Sequence, residues 1–234
     1  MLVQCLNEVL GACQNVGLHI VATVCDMGTN SVKALKLLGA TRRKPFFMFQ
    51  NQAIATIYDP PHLLKCTHNL FLKYDVQFES EHLGSQLSAI AKWEHIVKLY
   101  KHDKHKLICM PYKLTDTNLS PAIQSAMKLN LAAQIMSHTV AAGICSLVSE
   151  GNEQSLHSFS CHKNSEYLHM AVFVNDINKL FDSFNSVKHA APGKTLLCPL
   201  GDSSPHIGHW TKAAMGIKSW IFLKDGKPVF SKLT

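Results

Sequence analysis

Asp26 and Asp59 are the two carboxylates of this chain that stand where chemistry tends to gather. Each closes an apolar run, Asp26 in "TVCDMGTNS" and Asp59 in "AIATIYDPPH", and in open α/β sheets ligands and metals collect at the carboxyl ends of strands. Magnesium-dependent phosphoryl transfer needs two or three such acids, because two cations about 4 Å apart must be held to activate the nucleophile and stabilise the leaving oxygen. Two acids do not complete that site, and the Gly-Thr-Asn-Ser that follows Asp26 is equally the start of a helix. The residues alone leave Asp26 open between a cap or loop acid and a metal ligand.

Other reactive residue types have plainer readings. "HDKH" (His102, His105) and "HIGH" (His206, His209) repeat histidine at i, i+3, but neither carries the H-E-x-x-H pattern or a cysteine partner at zinc spacing. "PGKT" at 192–195 ends like a phosphate-binding loop, yet the glycine that motif requires falls on Lys188 and no strand precedes it, so a P-loop is rejected. Cys25 lies in an apolar run without an evident base and reads as a buried thiol. "FDSFNS" places Asp182 and Asn185 on one helical face, able to accept and donate hydrogen bonds, which an ordinary polar surface also explains.

The elements that must position these residues follow from periodicity. Leu2, Cys5, Leu6, Val9, Leu10, Cys13 and Val16 form one helical stripe that stops at Gly17. "LHIVATVC" (18–25) predicts a strand, "TNSVKALKLLG" a helix capped by Thr29 or Asn30 and closed by Gly39, and "AIATIYD" (53–59) a second strand after a basic, proline-interrupted loop at 41–46. "PPHLLKCTHNLFLKY" predicts a helix with prolines in its first turn. Helix, strand, helix, strand, helix implies neighbouring parallel strands.

From about residue 80 the pattern turns helical. Helices are expected in "SQLSAIAKWEHIVKLYKHDK", in "SPAIQSAMKLNLAAQIMSHTVAAGICSLVSEG" from Ser120 and Pro121 onward, in "VFVNDINKLFDSFNS" and in "GHWTKAAMGIKSWIFL". Residues 149–166 read as a polar linker and "KDGKP" as a turn. The chain is thus expected to be α/β over 1–78 and mostly α-helical over 79–234.

Composition bounds the function. With 234 residues and 47% hydrophobic content the chain can bury a sizeable core. Its eight scattered cysteines, without a C-x-x-C pair, read as reduced thiols in an intracellular compartment. The N-terminus lacks a signal-peptide pattern, and Asn130, Gln134, Ser137 and His138 interrupt the longest apolar run, so no membrane span is expected. The net charge of +7 comes almost entirely from lysine, since Arg42 and Arg43 are the only arginines. Lysine suits phosphate contact better than base reading.

"VCDMGTNS", "YDPPHLLKCTHNLF", "WEHIVKLY", "KLNLAAQIMSHTVAAGI", "LFDSFNS" and "SPHIGHWTKAAMGIKSWIF", in that order, resemble P-element-type transposases and their domesticated THAP-domain relatives. The resemblance covers nearly the whole chain, most specifically in D-P-P-H-L-L-K and L-F-D-S-F-N-S. It implies a partial RNase H-like catalytic domain over 1–78 followed by a helical GTP-binding insertion domain over 79–234, incomplete at its C-terminus. Asp26 would be the second acid of a magnesium-binding DDE triad, catalytic and metal-ligating, with Thr29 and Asn30 as caps, and residues 59–64 would support that site. Lys128, Val140, Phe181, Asp182 and Asn185 would contact GTP, with Phe181 stacking on the base and the nucleotide bound without hydrolysis. The implied partners are DNA, as transposon ends and target, and GTP; a homo-oligomer is admitted, and the implied location is the nucleus.

The same resemblance puts the first and third acids, a zinc-coordinating THAP domain and a coiled coil outside this chain. The expectation is therefore a fragment, truncated gene product or remnant of a cut-and-paste transposase, inactive alone, with a marginal α/β part. The alternative is a non-catalytic, domesticated GTP- or DNA-binding module.

Overall fold

Helix α1 (Leu2–Asn15) forms on the stripe that buries Leu10 and leans Leu6 on the core. It stops where Gly17 takes φ 81°: the Gly17 N–H reaches the Gln14 carbonyl and the Leu18 N–H reaches Cys13, a Schellman closure. The computed structural model describes residues 1–80, 88–106, 109–119, 128–154, 161–187 and 193–229, without the side chains of 150–165. These residues divide into two compact units, Met1–Leu63 and Leu64–Thr234.

In the first unit, β1 (Ala22–Cys25) leads through α2 (Thr29–Leu37) to a hairpin of β2 (Phe46–Phe49) and β3 (Gln52–Tyr58). The sheet order is β1-β3-β2, with β1 parallel and β2 antiparallel to β3. The expected parallel neighbours are present. The strand "FFMF" was hidden behind the basic loop because its two-residue turn, Gln50–Asn51, adopts positive φ (45° and 65°) without a glycine to announce it. Leu10, Leu35, Ala40, Phe47 and Ile54 form the core on one face of the sheet, while Val24, Met48 and Ile57 stand exposed on the other. Gly39 closes α2 in a second Schellman turn, Ala40 N–H to Leu35 and Gly39 N–H to Lys36.

The start of α2 corrects an expectation. Its N-cap is Gly28, and neither Thr29 nor Asn30 caps it. Asp26 fixes the turn that leads into the helix instead: its Oδ1 accepts the Gly28 N–H at 2.9 Å and the Ser31 hydroxyl at 3.0 Å. A methyl group at Gly28 would lie 2.9 Å from that same oxygen, so the bare backbone lets the carboxylate close down.

The second unit takes over within α3 (Pro60–Phe71) and continues through β4 (Asp75–Phe78), β5 (Ala89–Ala91), α4 (Trp93–Asp103), α5 (Asp116–Leu119), α6 (Leu129–Ile135), α7 (His138–Gln154) and α8 (Cys161–Asp182). A 3₁₀ turn (Thr195–Leu197), α9 (His206–Lys218), β6 (Ile221–Lys224) and β7 (Lys227–Pro228) complete it. An antiparallel sheet in the order β5-β4-β6-β7 backs the helices. "AIA" and "IFLK" were expected within helices; both are strands. Short apolar runs fit either state, and the Asp225–Gly226 turn, with φ 51° and 74°, makes the hairpin that turns β6 into β7.

The expected long helix over 129–148 is broken. Met136 leaves helical geometry, and Ser137 Oγ accepts the Val140 N–H at 3.3 Å to cap α7 anew. By length and composition Leu129–Ser149 could cross a membrane, but 56% of that window is buried inside the protein, the behaviour of a core helix. Of the expected linker at 149–166, residues 149–154 end α7 and 161–166 open α8, while 155–160, like the expected helix start at Ser120 and Pro121, lie outside the described residues.

Buried Phe173 on α8 gathers Phe71, Phe78 and Trp220 at centroid distances of 5.3, 5.2 and 5.2 Å. His95, 3% exposed, lies against the Tyr167 ring at 4.4 Å. Burial, helped by Lys92 and Lys98, outweighs the Glu166 carboxylate 3.8 Å from its Nε2 and lowers its pKa to about 4.

Two stability predictions follow from these contacts. Gly28→Ala should push the Asp26 carboxylate off its donors and lower unfolding free energy by about 1 kcal/mol, whereas Gly11→Ala, in open space within α1, should raise it by about 0.5–1 kcal/mol. Urea denaturation of both variants checks the opposed signs. For His95, the unfolded chain binds the proton first as pH falls below about 6.5, so stability is full above that value, declines toward pH 4 and levels below it, losing up to about 3 kcal/mol. His95→Gln should flatten this acid limb in urea midpoints measured from pH 7 to 4.

Candidate functional site

Because β1 and β3 run in parallel, Asp26 and Asp59 follow adjacent carboxyl ends, and the Asp59 N–H donates to the Cys25 carbonyl at 2.8 Å. Asp59 is the N-cap of α3, its Oδ2 accepting the His62 N–H at 3.0 Å with Pro60 and Pro61 filling the first turn. Burial, and next the charge of Asp26, push the Cys25 thiol up, the opposite of an activated nucleophile. Burial also raises the Tyr58 phenol. Among the described residues no three His, Cys, Asp or Glu side chains gather as a metal site. Two carboxylates, each engaged at a helix start, do not by themselves fit a pair of magnesium ions.

The second unit carries a cavity of about 340 Å³ where the chain breaks between α6 and α7. Its walls include Lys113, Gln134, the first turn of α7 from Ser137 to Val140, Asn178 of α8, and Lys194. Behind the wall, Asp182 Oδ2 accepts the Asn178 amide N–H at 3.1 Å and lies 3.5 Å from Lys194 Nζ. Asn178 Oδ1 in turn accepts the His138 backbone N–H at 3.2 Å, tying α8 to the start of α7. The arrangement offers two lysines, a helix N-terminus and amide groups at the cavity, with one carboxylate held just behind them. That set suits an anion bearing a polar base.

The residues expected to contact nucleotide are only partly gathered. Val140 lines the cavity, and Asp182 reaches it through Asn178 and Lys194. Lys128 is exposed at the N-cap of α6 and is not on the wall. Phe181 is half-buried against the core of the unit. Asn185 donates its amide to the Phe181 carbonyl at 2.8 Å, closing the end of α8.

"FDSFNS" is also a docking point for α9. Trp210 Nε1 donates to the Ser183 hydroxyl at 2.8 Å, and its ring stacks on Phe184 at 5.3 Å with an interplanar angle of 9°. His206, buried, has its Nε2 3.0 Å from the Leu196 carbonyl and its ring edge-on to Trp210. His209 lines a separate open groove of about 890 Å³ between α8 and α9. His102 and His105 are exposed.

Asn178, His138 and Lys113 were not anticipated as wall residues. Lys194 belongs to the "GKT" dismissed as a P-loop, and it approaches Asp182 although that motif is absent. The available signal was local: Asn178 stands one helical turn before Asp182, where i, i+4 side chains meet.

A model of the TNP-like GTP-binding insertion domain matches residues 61–195. The whole cavity wall lies within that range. No curated protein is similar enough to match. Among solved structures, the Drosophila P element transposase strand transfer complex superposes with a TM-score of 0.76 at 21% identity, over 96% of this chain and 47% of the other. This chain thus spans about half the length of that transposase, and what the two share at this identity is the fold. With more than half of its residues matched by that model, the chain belongs to the family of the TNP-like GTP-binding insertion domain, and the fold it shares with the Drosophila P element transposase extends across nearly the whole chain.

Proposed function

We propose that the second unit binds GTP without hydrolysing it, as a ligand that organises a transposase–DNA assembly, and that the first unit is part of an RNase H-like catalytic domain. The observation that carries the reading is the cavity at the α6–α7 break, which falls wholly within the matched insertion domain and joins Lys113, Lys194 and the α7 N-terminus, with the Asp182 carboxylate just behind the wall. Its volume of about 340 Å³ is within the range of small-ligand sites. The helix N-terminus and lysines favour the triphosphate. Asp182 offers carboxylate oxygens to the N–H donors on the guanine edge, which adenine does not present in the same pattern.

In this reading Asp26 contributes one carboxylate to a magnesium site whose other ligands come from elsewhere in a transposase assembly. The chain alone is expected to be inactive in magnesium-dependent cutting and joining of DNA, with nuclear DNA ends and target as the substrate of the assembly. The lysine-dominated charge of +7 also favours a second role, contact with the DNA backbone, that needs no catalysis.

Calorimetry with GTP, ATP and guanosine tests the main proposal. GTP should bind at least about tenfold more tightly than ATP, Asp182→Ala should lose about tenfold or more of the GTP affinity, and no inorganic phosphate should be released. No heat with GTP for the wild-type chain would overturn it. Incubation of the purified chain with magnesium and DNA should yield no cleaved or joined product; a product would sink the dependence of Asp26 on outside ligands.

A further inference from the structure

The geometry points to Lys194 as an exchange cation of the nucleotide cavity, one that pairs with Asp182 until GTP arrives and then moves to the triphosphate, freeing the carboxylate for the base. This inference rests on the GTP reading above and adds how the site is gated. Lys194 stands on the cavity wall beside Asn178, and its Nζ lies 3.5 Å from Asp182 Oδ2, the oxygen that also accepts the Asn178 amide at 3.1 Å. One carboxylate oxygen thus faces two N–H donors at the edge of the cavity. Guanine presents its adjacent N1–H and N2–H to the two oxygens of a carboxylate, one each, so the ammonium held at Oδ2 competes with the base for the same side chain.

Three features make the exchange easy. The separation of 3.5 Å is well beyond the 2.7–2.9 Å of a tight charge-assisted bond. Lys194 is 46% exposed, so water screens the pair and its net contribution is small. Its flexible stem carries a point charge that can turn toward phosphate without moving the backbone. Asp182 is only 19% exposed; once the lysine leaves, the remaining Asn178 amide holds the carboxylate in place while the base supplies the missing donors.

The exchange makes the effect of losing the lysine depend on whether the ligand has phosphates. In Lys194→Met, GTP affinity should fall about tenfold because a phosphate cation is lost, while guanosine affinity should rise about threefold because its competitor for Asp182 is gone. Lys194→Arg should keep GTP within about threefold of wild type, and Lys194→Met should flatten the salt dependence of GTP binding. Calorimetry with both ligands at two salt concentrations reads these shifts, with the melting temperature of the unligated variants as the check on folding. If wild type binds GTP and Lys194→Met moves both ligands in the same direction, or moves neither, the exchange is overturned while the GTP reading stands. If wild type binds neither ligand, both fall.

Discussion

The second unit depends on the placement of one ring. Phe173 on α8 meets Phe71 from α3, Phe78 from β4 and Trp220 just before β6, so four segments far apart in the chain converge on a single buried side chain. Full burial of such a ring contributes about 1.5–3 kcal/mol, and each well-angled aromatic pair adds roughly 0.5–1.5 kcal/mol. What matters for function is direction. Fixing Phe173 fixes the rotation of α8, and Asn178 and Asp182, further along the same helix, are thereby aimed at the start of α7. The apolar cluster sets the polar one.

The cavity itself exists because a helix is not continuous. A straight helix over 129–148 would bury its backbone groups in its own ladder. The break at Met136–Ser137 instead presents a fresh first turn whose donors need partners, and Ser137 Oγ and Asn178 Oδ1 each take one. The first unit uses the same device at its two acids. Asp26 and Asp59 both follow strands, Asp59 capping α3 and Asp26 fixing the turn before α2 through Gly28 and Ser31. A carboxylate clamped by two donors is one whose position is fixed in advance.

Much of this was legible in the sequence. The stripe ending at Gly17 and the closure at Gly39 were readable because φ > 0 at a helix end selects glycine. Parallel β1 and β3 followed from alternation of strand and helix. Three things were not. The β2–β3 hairpin turns on Gln50 and Asn51, which take a conformation that glycine usually marks. "IFLK" is as good an end to a helix as it is a strand, and only pairing with β4 decides it. The break in α6–α7 is set by Ser137 and Asn178 acting together across 41 positions of sequence, information that no local window contains. The cavity was missed for the same reason: its wall is assembled from residues 111 to 194.

The sheet of the second unit has a consequence in time. Strand β4, at Asp75–Phe78, lies between β5 and β6, and its pairing with β6 joins Asp75 to Leu223 and Gln77 to Ile221. A chain emerging from the ribosome completes β4 well over a hundred residues before β6 and must hold one of its edges unsatisfied in the interval. Such non-local closure slows folding, and a waiting apolar strand edge is a place where neighbouring chains can join instead. The sheet is thus closed by a non-local pair, and β4 keeps an open edge until β6 is made.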